Sequence, residues 1–283
     1  MRSLDPAFFL PVGSPAGGTP RGDGGTAVLR ATPSSHGPWS DQQQHGGATS
    51  AILTRAVEQA AEAAGLTGGQ LARIAVDFLR PVPIGDVRIR AEVIRPGRRV
   101  ALLRAELDDG NRPCAVAQAW WRRSAPGVVP DIGLPGTAPL PAPETVAPAE
   151  ADSDLGRLLF RGYISAVEWR PVTGGLLEPG PCTAWARPRI PLVQGETISP
   201  AQLAMLVADA GSGASAVLDF RTHLFSNIDL VVSLLRQPEG EWISLAAQTT
   251  VDNAGGGTTT TVLGDAKGPF GFTLHTLFVA PHG

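Results

Sequence analysis

GGATSAILTRAVEQAAEAAG, residues 46–65, is the stretch on which the reading of the fold turns. Ala51, Ile52, Val57, Ala60, Ala61 and Ala64 recur at helical spacing, and Gly65 stops the run. A strand follows at ARIAVDFLRPV (72–82). DVRIRAEVIRPGRRVALLRAELDDGNRPCAVAQAWWR (86–122) then reads as three more. In the first of these, Arg88, Arg90 and Glu92 alternate with Val87, Ile89, Ala91 and Val93, the period of two that belongs to a strand. Pro96-Gly97 and Asp109-Gly110-Asn111 supply the turns.

The same order recurs further along. ISPAQLAMLVADAGSGASAV (198–217) reads as a helix ending near Gly211–Gly213, and SNIDLVVSLLRQP (226–238) as a strand. The Leu-Leu-Arg-Gln-Pro of that strand echoes Phe78-Leu79-Arg80-Pro81. EWISLAAQTTVDNAGGGTTTTVLGDAKGPFGFTLHTLFV (241–279) adds strands broken at Asn253–Gly257 and Asp265–Gly268. Extra strands precede each helix: FFLPV (8–12) and AVLRAT (27–32), then GYISAVEWRPV (162–172) and CTAWARP (182–188). Between the halves, residues 125–154 are rich in Pro, Ala and Gly and lack any period, which reads as an extended linker. The expected organisation is an N-terminal unit at 1–124, this linker, and a C-terminal unit at 155–283.

Each unit is therefore α+β, one long helix wrapped by a curved antiparallel sheet. The second helix is apolar all round from Leu203 to Ala208, as expected of a helix that a sheet encloses. Two such units can align edge to edge into one continuous sheet, which also hides the edges.

Composition narrows the function. The chain has 283 residues, 43% hydrophobic and 17% charged, with a formal net charge of −3. That balance recruits neither nucleic acid nor an anionic membrane surface. The N-terminal apolar run is broken by proline and too short for a signal peptide, and no stretch approaches the ~18 apolar residues of a membrane span. The expectation is a cytoplasmic protein. Cys114 and Cys182 stand far apart without metal-ligand or redox spacing and read as buried or edge-strand thiols. There is no GxSxG elbow, no Walker loop, and no GxGxxG between a strand and a helix; GDGG (22–25) and GGG (255–257) sit in turn contexts.

Two places could carry chemistry. His45-Gly46-Gly47 opens the first helix, where free N–H groups and the helix dipole favour negative charge. Glycine lets a substrate oxygen come close to those amides, so Gly46 and Gly47 are candidate oxyanion donors and His45 a neighbouring contact. Asp209 lies near the end of the apolar second helix. Poor solvation there is expected to raise its pKa and its basicity, which suits it to activate a water or to act as nucleophile.

Together, GPWSDQQQHGGATSAIL (37–53), VDFLRPVPIGDVRIRAEVIRPGRRV (76–100), RIPLVQGETISP (189–200), LVADAGSG (206–213) and SNIDLVVSLLR (226–236) resemble the hotdog superfamily, and within it the double-hotdog, thioesterase II-like acyl-CoA thioesterases. The resemblance implies two fused hotdog domains, hydrolysis of an acyl-CoA thioester without a cofactor, and possible pairing of the fused unit into a homodimer. It also implies that the two helices lie side by side, so that each site draws on both. Superposing His45 on Pro200 sets Gly46-Gly47 on Ala201-Gln202 and Thr54 on Asp209. One half keeps the Gly-Gly and the other the carboxylate, so one site of two is expected.

Where relatives carry a strand Gln that holds the water, this chain has His275, a catalytic candidate to hydrogen-bond that water or serve as base, and a strand hydroxyl of some relatives falls on Val231, which cannot donate. Asn227 and Asp229 are polar residues near that strand start and are candidate substrate contacts. Arg95, Arg98 and Arg99 on a hairpin could meet CoA phosphates or simply be solvated, and Trp120-Trp121 are expected to place one ring on each sheet face. Hotdog hydratases need an Asp and a His together at the helix start; the helix of Asp209 carries no histidine, which argues against that chemistry. A catalytically inactive acyl-CoA or acyl-chain binding protein is the non-enzyme alternative.

Overall fold

The computed structural model describes residues 4–12, 26–130, 132–134 and 139–282; the GDGG stretch and linker residues 131 and 135–138 lie outside them. In chain order the first half holds β1 (Phe9–Pro11), β2 (Ala27–Ala31), α1 (Gly46–Ala63), β3 (Gly69–Phe78), β4 (Gly85–Arg95), β5 (Val100–Asp108) and β6 (Pro113–Arg123). The second holds α2 (Asp154–Leu159), α3 (Gly162–Ala166), β7 (Val167–Thr173), β8 (Cys182–Pro188), α4 (Pro200–Ala208), α5 (Gly211–Ala214), β9 (His223–Asn227), β10 (Asp229–Leu234), β11 (Ile243–Val251), β12 (Gly256–Asp265) and β13 (Gly268–Pro281).

The strands form one 13-stranded sheet in the order β1-β2-β4-β5-β6-β3-β10-β13-β12-β11-β8-β7, with β9 on β13. The seam between the halves is the antiparallel β3–β10 pair, from Asp77 opposite Asp229 to Arg73 opposite Ser233. This is the edge-to-edge union of two hotdog units that the sequence leads one to expect. A second tie comes from the N-terminus, where Phe8 and Phe9 are fully buried and their N–H groups donate to Pro191 O and Leu192 O of the other half.

α1 and α4 run antiparallel inside the curve of the sheet. Ala201 to Ala208 of α4 are all buried, because the sheet covers one side of the helix and α1 the other. Fully burying a Leu such as Leu206 is worth ~1.5–3 kcal/mol, so this stripe anchors the core. Ser199 caps α4 and Gln202 closes a capping box with it, while Pro200 takes the first helical position, where its missing N–H costs nothing.

Four local departures matter. The described end of the linker is docked, not free: Arg170 donates to Pro143 O and Val146 O, Trp185 to Pro141 O, and Ala149 N–H to Trp169 O. It thereby covers the β7–β8 end of the sheet. GYISA, read as strand, is the short helix α3; its Gly162 (φ +49°) lets the chain turn against His36 and swing Tyr163 inward. The second-half helix breaks earlier than its sequence suggests, with Asp209 at the C-terminal cap of α4 and α5 beginning afresh at Gly211. The strand at 226–238 also breaks: Asn227 faces Leu277 on β13 while Val231 faces Leu274, so one extra residue is inserted near Ile228. Such a bulge re-aims side chains, and here it turns Asn227 inward.

Cys114 and Cys182 are both free and buried, and burial pushes the Cys182 thiol up to about 11. Among the described residues no helix is long and apolar enough to cross a membrane.

Candidate active site

His45 is the N-cap of α1, and its Nδ1 accepts the Gly47 N–H at 3.0 Å. The same Nδ1 lies 3.1 Å from Asp209 Oδ2 at the end of α4. Antiparallel packing of the helices thus brings the positive end of α1 onto a carboxylate that its own helix dipole disfavours. The cap positions also correct the expected superposition by one residue. His45 corresponds to Ser199, not to Pro200, so the counterpart of Asp209 is Arg55 rather than Thr54.

Both glycines sit against close neighbours. A Cβ on Gly46 would sit 2.6 and 2.7 Å from the two Asp209 carboxylate oxygens, and one on Gly47 would collide with the Leu206 carbonyl. The Gly47 amide is already capped by His45, whereas Gly46, at the first helical position, has no intrahelical acceptor for its N–H.

Asp209 is only 4% exposed. Asn227 Nδ2 donates to its Oδ1 at 2.7 Å, and Asn227 Oδ1 accepts from Ser212 Oγ at 2.9 Å. Burial drives the Asp209 carboxyl up, but the hydrogen bond and charge of His45, with help from His275 and Asn227, hold it below its ordinary value of 3.8. The expected rise in pKa is therefore overturned: desolvation is present, but the donors gathered around the carboxylate outweigh it.

The His45 ring stacks on Tyr163 at 3.8 Å and 8°. Tyr163, the chain's only tyrosine, is fully buried and donates to Leu206 O at 2.6 Å. Burial and the Asp209 charge raise its phenol well above the usual range and keep it neutral. Nothing in the local sequence around Tyr163 marks it; only the turn at Gly162 brings it here.

His275 is fully buried on β13, opposite Thr259, and neither ring nitrogen has a hydrogen-bond partner. Burial lowers its pKa from 6.5, the Asp209 and Asp229 charges and the Ala208 carbonyl opposing that shift. It faces Asp209 from behind and does not line the cleft. Asp229 does not join the group either: its Oδ1 accepts the Thr276 N–H at 2.7 Å, which braces the bulge. Val231 lies along the β3–β10 seam, and the polar group that reaches Asp209 is Asn227. The helix of Asp209 carries no histidine, as expected, but His45 and His275 approach the carboxylate from other elements.

Two cavities meet at His45. One, of about 310 Å³, is bounded by Trp39, Arg80, Asp209, Ser212, Phe225 and Asn227. The other, of about 60 Å³, is walled by Leu159, Phe160, Ile164, Trp169, Leu176 and Phe220. The first is polar along one side and the second almost wholly apolar. Arg95, Arg98 and Arg99 lie at the β4–β5 turn, at the opposite end of the sheet from the cleft, and Arg95 stacks over Trp120. Trp121 is buried and Trp120 half-buried, one ring on each face.

The pseudo-equivalent position at the other helix ends is filled. Glu58 of α1 accepts from Ser199 Oγ at 2.8 Å and from Gln202 Nε2 at 2.6 Å. Beside it Arg55 makes a bidentate pair with Glu196, both contacts at 2.6 Å.

Residues 35–122 match the family described as the acyl-CoA thioesterase N-terminal domain, and residues 143–279 match its C-terminal domain. An uncharacterised protein of Mycobacterium tuberculosis is 28% identical over 221 residues, 70% of this chain and 72% of that one. A hotdog-fold protein of unknown function from Alicyclobacillus acidocaldarius superposes with a TM-score of 0.72 at 14% identity, covering 92% of this chain and 95% of that one. The acyl-CoA thioesterase II TesB2 of Mycobacterium marinum superposes at 0.61 with 14% identity, over 90% and 94%. The tesB protein of Mycobacterium avium subspecies paratuberculosis does so at 0.64 with 14% identity, over 90% and 93%. With both domains matched in order along a fused pair of hotdog units, the chain belongs to the acyl-CoA thioesterase family of thioester hydrolases.

Proposed function

We propose that the chain hydrolyses a fatty acyl-CoA thioester at the junction of the two cavities, with the acyl group in the apolar one and the CoA arm in the polar one. The observation that carries this reading is the meeting of His45, Gly46 and Asp209 where those cavities join.

Asp209, ionised at neutral pH, accepts a hydrogen bond from the attacking water and takes its proton as the water oxygen bonds to the thioester carbon. The carbonyl oxygen gains charge and is received at the start of α1, first by the Gly46 N–H. A single His45 Nδ1 cannot both accept from Gly47 and donate to Asp209. When Nδ1 carries a proton it bonds to Asp209, and the Gly47 N–H is released as a second oxyanion donor. As the C–S bond breaks, the proton on Asp209 passes to the departing thiolate. Asn227 fixes the carboxylate, and His275 supports it from behind. The chemistry calls for no cofactor.

Release of free thiol from a panel of acyl-CoAs, followed colorimetrically, tests this reading. Turnover that disappears in Asp209→Asn supports it. Saturable acyl-CoA binding with no thiol released makes the chain a carrier instead.

A further inference from the structure

Arg80 follows β3 in the Phe78-Leu79-Arg80-Pro81 turn, held by its own N–H donating to Cys114 O at 3.2 Å. Its Nε and Nη1 are buried and make no hydrogen bond. Other partly buried arginines are committed: Arg55 to Glu196 and Arg170 to Glu168. Asp109, on the β5–β6 turn, feels the charge of Arg80 but lies beyond ion-pair distance, its Oδ1 taken by the Asn111 and Arg112 amides. Buried guanidinium N–H groups without an acceptor are unfavourable, and this half-buried side chain borders the wide cavity that also holds Asp209 and Asn227.

We propose that Arg80 is the phosphate anchor of the substrate, its guanidinium taking a phosphate of the thiol-bearing arm from the wall of the wide cavity. The assignment rests on the thioesterase reading above. The apolar cavity offers an anionic acyl group no partner, so the charge that Arg80 awaits belongs to the other arm. Guanidinium and phosphate match in a bidentate geometry that lysine cannot reproduce. The arginines of the β4–β5 turn cannot serve, since they lie at the far end of the sheet.

The test compares Arg80→Gln and Arg80→Lys with the wild-type chain on three thioesters of one acyl group. Acyl-CoA and acyl-phosphopantetheine carry phosphate, and acyl-pantetheine does not. In Arg80→Gln the KM for acyl-CoA should rise about ten- to a hundredfold more than that for acyl-pantetheine, with kcat little changed. Arg80→Lys should recover part of that difference. A penalty shared by acyl-phosphopantetheine locates the contact at the pantetheine phosphate; one confined to acyl-CoA locates it on the nucleotide side. Equal penalties on acyl-CoA and acyl-pantetheine, or none on either, overturn the assignment and leave the thioesterase reading standing. Absence of turnover of all three by the wild-type chain overturns both.

Discussion

Gly46 and Asp209, one from each half of the chain, are packed so closely that a methyl group on the first would lie 2.6 Å from a carboxylate oxygen of the second. The contact explains why glycine stands at the first helical position. Gly46→Ala should fold, since a helix start tolerates alanine, but it must push Asp209 away. We expect kcat to fall about 10²–10³-fold, with a melting temperature within a few degrees of wild type. Full activity in that variant would remove the helix start from the mechanism.

Asp209→Asn keeps the shape of the carboxylate and removes its charge. Thiol release should fall about 10²–10⁴-fold. The pH profile is the sharper readout: because the free enzyme's carboxyl is held below 3.8, wild-type kcat/KM should show no acid limb from Asp209 above that value.

His275 predicts how stability depends on pH. Its folded pKa lies below the ordinary 6.5, so the unfolded chain takes up a proton first as the pH falls. The stability it contributes is complete above 6.5 and is lost as the pH drops through the folded value. Asp209 loses its share lower, below 3.8. Melting temperatures measured at about pH 8 and about pH 5 should differ less in His275→Gln than in wild type.

Glu58 has the opposite sign. Burial raises its carboxyl above 4.5, with the Ser199 and Gln202 donors pulling the other way. Its contribution to stability is complete below 4.5 and is lost as the pH rises through the folded value. Glu58→Gln should melt higher than wild type at neutral pH, and the gap should close near pH 4.5.

Phe160 closes one wall of the apolar cavity. Phe160→Ala should extend that space and shift preference toward longer acyl groups. The gain is about fourfold in kcat/KM for each methylene newly buried. A chain-length series of acyl-CoAs reads it directly, and an unchanged profile would place the acyl group elsewhere.

Much of this was legible in the chain itself. Helical spacing at 46–65, strict alternation at 87–93 and the repeat of the same order gave both halves, because period and turn chemistry are local properties. The pairing of a Gly-Gly in one half with a carboxylate in the other could be read from one superposition, though that superposition was off by a residue because Pro200 is the first helical residue and not the cap. What could not be read depends on contacts distant in sequence. Tyr163 beneath His45, the bulge that turns Asn227 onto Asp209, and the donors that lower the Asp209 pKa all arrive from separate elements. Desolvation can be guessed from an apolar neighbourhood, but its compensation by particular hydrogen bonds cannot.

Glu58, locked to Ser199 and Gln202, sets the stoichiometry of the molecule. On the proposed reading, with that mirror position occupied by side chains, each polypeptide engages a single thioester. Saturation curves should be hyperbolic with a Hill coefficient of about one. Any sigmoidal behaviour would have to arise between polypeptides, never between the two halves of one.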